Sequence, residues 1–341
     1  MKVLITGAAG FIGSNLVHYL HGERPQWNIT ALDSLTYAGN LANIESLLNK
    51  KAISFEKVDI ADVEAVEKVF SKQKYDLVFH LAAESHVDRS ILRASDFVRT
   101  NVVGTQVLLD AARNTGVKRF VHISTDEVYG SLGPTGRFVE TTPLDPTSPY
   151  AASKASSDLM VLAAAKTHKF DCVITRCTNN YGPYQFPEKF IPLFITNTME
   201  DKKLPLYGDG MNVRSWVHVR DHCEGLLLAA EKGRSGEVYN IGGAEEAEIP
   251  NKIVALQIIK ALGKSEGLLQ LVTDRLAHDK RYAIDYSKSH KELGWSPRTP
   301  FAIGLESTIQ WYKTNKAWWE GIKSGAYKNF YEQNYAHRIA V

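Results

Sequence analysis

The sequence predicts an α/β fold, a doubly wound parallel sheet with a smaller C-terminal lobe, and three observations carry that prediction. The chain opens as strand, glycine turn and helix: VLITGAAG is a short apolar run ending in glycines, and FIGSNLVHYLHG repeats its apolar residues at helical spacing. The same alternation recurs along the first half, which is the pattern of a parallel sheet covered by helices on both faces. Beyond Thr178 the texture changes to clustered Pro, Gly, Tyr and Asn, in NNYGPYQFPEKF and LPLYGDG, as expected of loops in a second unit.

Each element follows from its local pattern. NITALD, ISFEKVDI, DLVFHLAA, KRFVHIST and FDCVITRC are rich in β-branched and aromatic residues and read as strands. Helical stretches fall between them near 62–73, 95–116 and 149–168. EVYNIGG, 237–243, reads as a strand returning to the main sheet. The expected division is therefore 1–178 with a return segment of about 213–243 as one unit, and 179–212 with 244–341 as the other. Trp311, Trp318 and Trp319 in the tail suit packing rather than chemistry. No internal repeat or low-complexity linker is present.

Composition excludes several classes. With 341 residues and 44% hydrophobic content the chain is neither fibrous nor disordered. Forty Lys plus Arg against 38 Asp plus Glu leave a formal charge of +2 without long single-sign runs, so no footprint for nucleic acid is expected. No apolar run reaches about 18 residues, which argues against a membrane span. Cys172, Cys177 and Cys223 form no CxxC pair or zinc-like spacing, and a reducing cytoplasm suits them best.

The first glycine cluster carries chemistry. GAAGFIG, with Gly7, Gly10 and Gly13, sits between strand and helix, where unpaired helix N–H groups can receive a dinucleotide pyrophosphate. Asp33 closes the next strand, where an acid accepts from an adenosine ribose and repels a 2′-phosphate, so NAD is favoured over NADP. With Asp59 ending the third strand, the unit reads as a Rossmann-type dinucleotide site.

Two further stretches call for explanation. STDEVYG places Asp126 and Glu127 side by side after the apolar strand KRFVHIS, where carboxylates are costly to bury. SPYAASKASSDL sets Tyr150 and Lys154 four residues apart, on one face of a helix, so an ammonium can bias a neighbouring phenol toward the phenolate.

In this order and spacing, GxxGFIG, a strand-end Ser-Thr pair and YxxxK resemble an extended short-chain dehydrogenase/reductase, over nearly the whole chain. STDEVYG is similar to the segment of the dTDP-glucose 4,6-dehydratases in particular; epimerase relatives lack the acid pair, and a nucleotide-sugar decarboxylase typically has serine where Asp126 stands. The resemblance implies a lyase that oxidises C4 of a nucleotide-linked glucose, removes water across C5 and C6, and returns the hydride to C6 with bound NAD. It implies that Thr125, Tyr150 and Lys154 surround the nicotinamide, that Glu127 is the base at C5, and that protonated Asp126 is the acid at the C6 hydroxyl.

The same resemblance implies a cofactor set of Gly7, Gly10, Phe11, Ile12, Gly13, Asp33, Ser34, Leu35, Thr36, Asp59, Ile60, Leu81, Ala82, Ala83, Ser85, Thr100, Tyr150, Lys154 and Asn180. For the sugar nucleotide it implies Ser85, His86, Thr125, Asp126, Glu127, Asn179, Lys189, Phe190, Pro205, Tyr207, Arg214, Asn251, Arg275 and His278. A guanidinium fork at Arg275 suits a diphosphate. The chain departs from the family at Leu276-Ala277, where Pro-Gly is common, and at Ser215 and His218, where Asp and Tyr are common.

HVRDH, with His218, Asp221 and His222, matches no metal-ligand spacing and reads as strand end and helix cap, so no metal is expected. The partner expected is a small nucleotide sugar, with no nucleic acid and no membrane, and the resemblance implies a homodimer joined through the helices near 95–116 and 149–168. The readings that compete with a dehydratase are another NAD-dependent sugar-nucleotide enzyme, such as a 4-epimerase, and a non-catalytic NAD-binding regulator.

Overall fold

Alternate residues of the first strand face opposite cores, which sets the layering of the molecule. In β1 (Lys2–Thr6), Val3 and Ile5 join one apolar cluster and Leu4 joins another, all three without solvent exposure. The computed structural model describes residues 1–274 and 278–324.

The chain continues through α1 (Phe11–Glu23), β2 (Asn28–Asp33), α2 (Glu45–Asn49), β3 (Ile53–Lys57), α3 (Val63–Lys72) and β4 (Leu77–His80). Next come α4 (Val87–Leu92), α5 (Ala94–Phe97), α6 (Gly104–Asn114), β5 (Arg119–Thr125), α7 (Pro149–His168) and β6 (Cys172–Cys177). The single helix expected near 95–116 is broken: a π-helical turn, Val98–Val103, separates α5 from α6. Such turns are common beside functional sites, and this one carries Thr100 and Asn101.

Beyond β6 the chain forms β7 (Asn179–Tyr181), α8 (Phe190–Met199), β8 (Leu204–Tyr207), β9 (Val213–His218), α9 (Val219–Lys232), β10 (Val238–Ile241), β11 (Glu248–Pro250), α10 (Asn251–Ala261) and β12 (Leu269–Val272). Helices α11 (Ser287–Leu293), α12 (Phe301–Thr314) and α13 (Lys316–Lys323) complete the described residues.

Among the described residues the main sheet has seven strands in the order β10-β6-β5-β4-β1-β2-β3, all parallel. Helices α1 and α9 cover one face, through Leu16, Val17, Cys223 and Leu226, and α3, α6 and α7 cover the other, through Val66, Phe70, Leu108 and Val161. The strand order reverses between β4 and β2 around β1, and the crevice above such a reversal is where α/β sheets bind ligands.

The second lobe is more ordered than its loop-like composition suggests. It holds a three-stranded sheet, β11-β9-β7, and a parallel pair, β12-β8, over a core of Ile191, Phe194, Trp216, Val254, Ile258, Leu305 and Trp319. The expected return segment of about 213–243 divides between the layers. Val213–His218 pairs in the three-stranded sheet, whereas α9 and β10 belong to the main layer. Leu293 and Trp295 pack with Val173, Tyr239 and Ile241, so part of the C-terminal segment also leans on the main sheet.

Candidate active site

A cavity of about 460 Å³ opens above the C-terminal ends of the parallel strands and continues toward the second lobe. At its inner end lies the glycine turn. Gly7 adopts φ +67°, and an added Cβ there would come within 2.7 Å of the Ala82 nitrogen. A Cβ on Gly13 would sit 2.0 Å from the Gly7 carbonyl oxygen, so the turn and helix pack too closely for any side chain. Gly10 caps α1 without a side-chain hydrogen bond, and no acid stands in the first turn, which leaves N–H groups and the helix dipole available to a phosphate.

Asp33 serves the same turn. Its carboxylate accepts from Ala9 N at 2.9 Å and from Leu35 N at 2.8 Å. Burial raises its pKa, and those amide hydrogen bonds pull it back. Asp59 accepts from Ala61 N at 2.9 Å and from Arg99 Nη1 at 2.7 Å, which fixes it at the cavity wall.

The tyrosine and lysine are placed by helix-start chemistry. Ser148 caps α7, its hydroxyl accepting from Ala151 N at 3.1 Å, and Pro149 follows in the first turn. That pairing of cap and proline is worth about 1 kcal/mol and starts the helix at a defined residue. Tyr150 and Lys154 then share its buried face, with the Tyr150 ring edge-on to Phe97 at 6.2 Å. Lys154 Nζ donates to Ile123 O at 2.8 Å and lies 3.5 Å from His122 Nε2. Burial lowers the lysine to about 8, with the Asp158 carboxylate acting in the opposite direction. Asp158 in turn accepts from Arg176 Nε at 2.9 Å beneath the site.

The acid pair occupies a short 3₁₀ turn, Asp126–Tyr129, at the end of β5. Thr125 caps it, its hydroxyl accepting from Glu127 N at 3.3 Å and standing 3.4 Å from Asp126 Oδ1. The same hydroxyl acts on the Tyr150 phenol in the direction of a lower pKa. Asp126 is 2% exposed; burial first, then the Glu127 carboxylate, hold it well above the usual carboxylate range, while Arg214 acts against them. The pair thus sets a carboxyl group of raised pKa beside a second one.

One expectation differs from the geometry. Burial and the Glu127 carboxylate raise the Tyr150 phenol well above its ordinary value, and the Thr125 hydroxyl offsets only part of this. The lysine four residues on does not by itself bring the phenol into range.

The cavity wall includes every expected cofactor residue except Leu35, whose contribution is the amide bond to Asp33. Of the expected sugar-nucleotide residues, Ser85, Thr125, Asp126, Glu127, Asn179 and Lys189 line it, and Lys189 Nζ donates to Ser85 O at 2.9 Å. His86 stands just behind, its Nε2 4.0 Å from Glu188 Oε1.

Phe190, Pro205, Tyr207, Arg214, Asn251 and His278 lie outside this wall, in the second lobe. Phe190 stacks on Trp216 at 6.1 Å, and Pro205 is buried in β8. The Tyr207 hydroxyl donates to Asp88 at 3.0 Å, while its ring meets His278 edge-on. Arg214 donates to Asp279 O at 3.0 Å and lies over the Tyr282 ring. Asn251 opens α10. Arg275, like the Leu276-Ala277 departure, lies outside the described residues.

HVRDH has structural partners. His218 Nδ1 accepts from Arg220 N as the α9 cap, and Asp221 accepts from Arg298 N and Thr299 N. His222 Nδ1 sits 2.9 Å from Asn180 Oδ1 and orients that asparagine at the cavity wall. Among the described residues no three His, Cys, Asp or Glu side chains are grouped to hold a metal ion.

Several wall residues escaped the sequence reading: Tyr37, Glu84, Gln185, Phe186 and Glu188. Asn101 escaped it too. Its side chain accepts from Glu84 N at 2.9 Å and donates to Glu84 O and Ser153 Oγ, tying the loop after β4 to α7. The stretch around it, SDFVRTNVVGTQ, mixes polar and apolar residues, so the asparagine gave no separate signal.

The residues present fit a dinucleotide. The turn admits a phosphate where a Cβ would collide, and Asp126 Oδ2, Ser124 Oγ and Asn179 Oδ1 are buried without a hydrogen-bond partner among the described residues.

Geometry of this kind defines an oxidoreductase-type site, a dinucleotide turn facing a phenol and a lysine, to which an acid pair has been added. Residues 4–308 match the family described as GDP-mannose 4,6 dehydratase. The dTDP-glucose 4,6-dehydratase of Streptomyces antibioticus is 52% identical over 95% of this chain and 96% of its own. That of Escherichia coli is 44% identical over 99% of this chain and 100% of its own. Among solved structures, DesIV, a dTDP-glucose 4,6-dehydratase from Streptomyces venezuelae with NAD and dTDP bound, superposes with a TM-score of 0.91 at 49% identity, covering 95% of this chain and 100% of that one. The UDP-glucose 4-epimerase of Thermus thermophilus, in complex with NAD, gives 0.86 at 30% identity over 92% of this chain and 100% of that one. The chain belongs to the 4,6-dehydratase family, and the dTDP-glucose enzymes are relatives it matches over nearly its whole length.

Proposed function

We propose that the chain is an NAD-dependent hydro-lyase that converts dTDP-glucose to dTDP-4-keto-6-deoxyglucose, and that Thr125, Asp126, Glu127, Tyr150 and Lys154 do the work. The observation that carries the assignment of roles is the acid pair on the wall of the cavity that also holds the glycine turn and Tyr150. NAD, which Gly7, Gly10, Gly13 and Asp33 would hold, would supply the hydride acceptor for C4 and, once reduced, the donor for C6. Tyr150 takes the proton of the C4 hydroxyl, with Thr125 acting to lower the pKa of the phenol. A ketone at C4 makes the C5 proton acidic, and Glu127 removes it and restores a proton to C5 once C6 has received the hydride. Asp126, its pKa raised by burial and its neighbour, protonates the departing C6 hydroxyl.

The cofactor lobe in this reading is 1–178 with α9 and β10, and the remaining residues, with Tyr207, Arg214 and His278, receive the nucleotide. The supporting geometry is the position of Arg214, close enough to Asp126 to oppose its raised pKa.

Substrate deuterated at C4 tests the reaction. Label recovered at C6 of the product is the expected result; label left on C4 identifies an epimerase, and unchanged substrate a non-catalytic NAD-binding protein.

The reading includes a homodimer and a cytoplasmic location. Leu92, Val98, Val103 and Leu159, on the segments from α4 to α7, are 74%, 51%, 47% and 56% exposed, which is costly for large apolar side chains unless a second copy covers them. Sedimentation equilibrium is expected to give twice the chain mass, and Leu159→Glu to shift it toward one; a monomeric parent protein overturns the dimer. The three cysteines are buried and free, as suits a reducing compartment. Among the described residues no helix is long and apolar enough to cross a membrane.

A further inference from the structure

A reaction that removes a hydride in its first step and returns it in its last, the reading proposed above, demands that the cofactor stay in place between the two. Two loops line the wall of the cavity, the one after β2 and the one before α8. One side chain from α4 joins them. The Arg89 guanidinium carbon lies 3.8 Å from the centroid of the Tyr37 ring, and its Nη2 and Nε stand 3.0 and 3.3 Å from Glu188 Oε2. The Glu188 carboxylate, 3% exposed, also lies close enough to the Tyr37 phenol to raise its pKa, behind the larger effect of burial, so the three side chains form a triangle. Tyr37 meets Phe186 edge-on at 5.7 Å, which adds a second contact between the two loops.

The Tyr37 loop is laid over the cofactor turn itself. Asn40 N donates to Ala9 O at 3.0 Å, and a Cβ on Gly39 would stand 2.6 Å from Asp33 Oδ1. On the opposite side, Asn15 Nδ2 of α1 donates to Pro183 O at 2.9 Å, which roots the Glu188 loop on the helix that follows the glycine turn. Both loops are therefore fixed at their bases to the phosphate-binding region and joined at their tips by Arg89. Tyr37 and Glu188 line the cavity that Gly10, Asp33 and Ala82 line.

We propose that Arg89, stacked on Tyr37 and paired with Glu188, is a clasp over the cofactor cleft that keeps NAD bound from the oxidation step to the return of the hydride. Arg89 is a positioning residue: it acts through the two side chains that it holds together. A planar cation suits this task, since a guanidinium can stack on a ring and present a fork to a carboxylate at once, which an ammonium cannot.

The test is NAD retention, read without any sugar. The parent protein, Arg89→Met and Arg89→Lys are loaded with NAD and passed through gel filtration, and the NAD remaining is measured chromatographically after acid denaturation. Release at least 10-fold faster from Arg89→Met, with Arg89→Lys no better than partly restored, is expected. Turnover at saturating added NAD should stay within about threefold of the parent, and the melting temperature of the NAD-free protein should be unchanged. Tyr37→Leu, which removes the ring but leaves the ion pair, serves as an independent variant and should also release NAD faster. Parent-like retention in Arg89→Met and Tyr37→Leu overturns the clasp. So does a loss of retention that comes only with a matching fall in NAD-free melting temperature and in turnover at saturating NAD, since that marks general destabilisation. Failure of the C4 label to reach C6 would instead overturn the reaction and leave the retention result standing.

Discussion

Glu127→Gln is expected to stop the reaction after oxidation. The amide keeps the shape of the side chain but cannot accept the C5 proton, so dehydration should fall by about 10²- to 10⁴-fold, the usual worth of a positioned proton-transfer group. The 4-keto sugar should accumulate, and solvent deuterium should no longer enter C5. The change also reaches the neighbour: the Glu127 carboxylate is the second cause of the raised Asp126 pKa, so its neutralisation lowers that pKa. Burial, the larger cause, remains, so the pKa stays raised. The sign of the pH dependence follows: protonated Asp126 is present below its raised pKa, and C6 dehydration fades as pH rises through it. Product analysis of the variant by mass and by NMR checks both points.

Tyr150→Phe is expected to block the first step by a comparable factor, about 10²- to 10⁴-fold, and to leave no keto sugar at all. The two variants thus stall at different places. Loss of one hydroxyl leaves the ring packed edge-on against Phe97, so the fold should survive with little change in melting temperature. Without a ketone at C4 the C5 proton is not acidic, and solvent exchange at C5 should vanish with oxidation. If both variants dehydrate the sugar at the parent rate, the assignment of roles to the phenol and the carboxylate is wrong.

Much of the fold and of the site was legible because its signals are local. β1 and the glycine turn are adjacent in the chain, and the absence of side chains at Gly7 and Gly13 reports a close approach of backbone to backbone. Ser148 and Pro149 announce the start of α7, which places Tyr150 and Lys154 on one face by helical spacing alone. The buried strands announced themselves by composition. The short strands of the second lobe did not, because β7, β9 and β11 are three to six residues long and hold their shape by pairing across distant segments. Helical spacing likewise does not distinguish the π-helical turn at Val98–Val103 from plain helix.

The sequence by itself determined the order of elements, the NAD-type turn, and the presence of a phenol, a lysine and an acid pair in the right succession, since each rests on contacts within a few residues. Only the tertiary structure decided the electrical state of those groups. Burial against residues from other segments raises the pKa of Asp126, the core beneath α7 brings Lys154 to about 8, and burial with Glu127 raises the Tyr150 phenol. It alone brought Tyr37, Arg89 and Glu188 into one triangle. Desolvation and long-range packing depend on which parts of a folded chain meet, and no local pattern of residues encodes that.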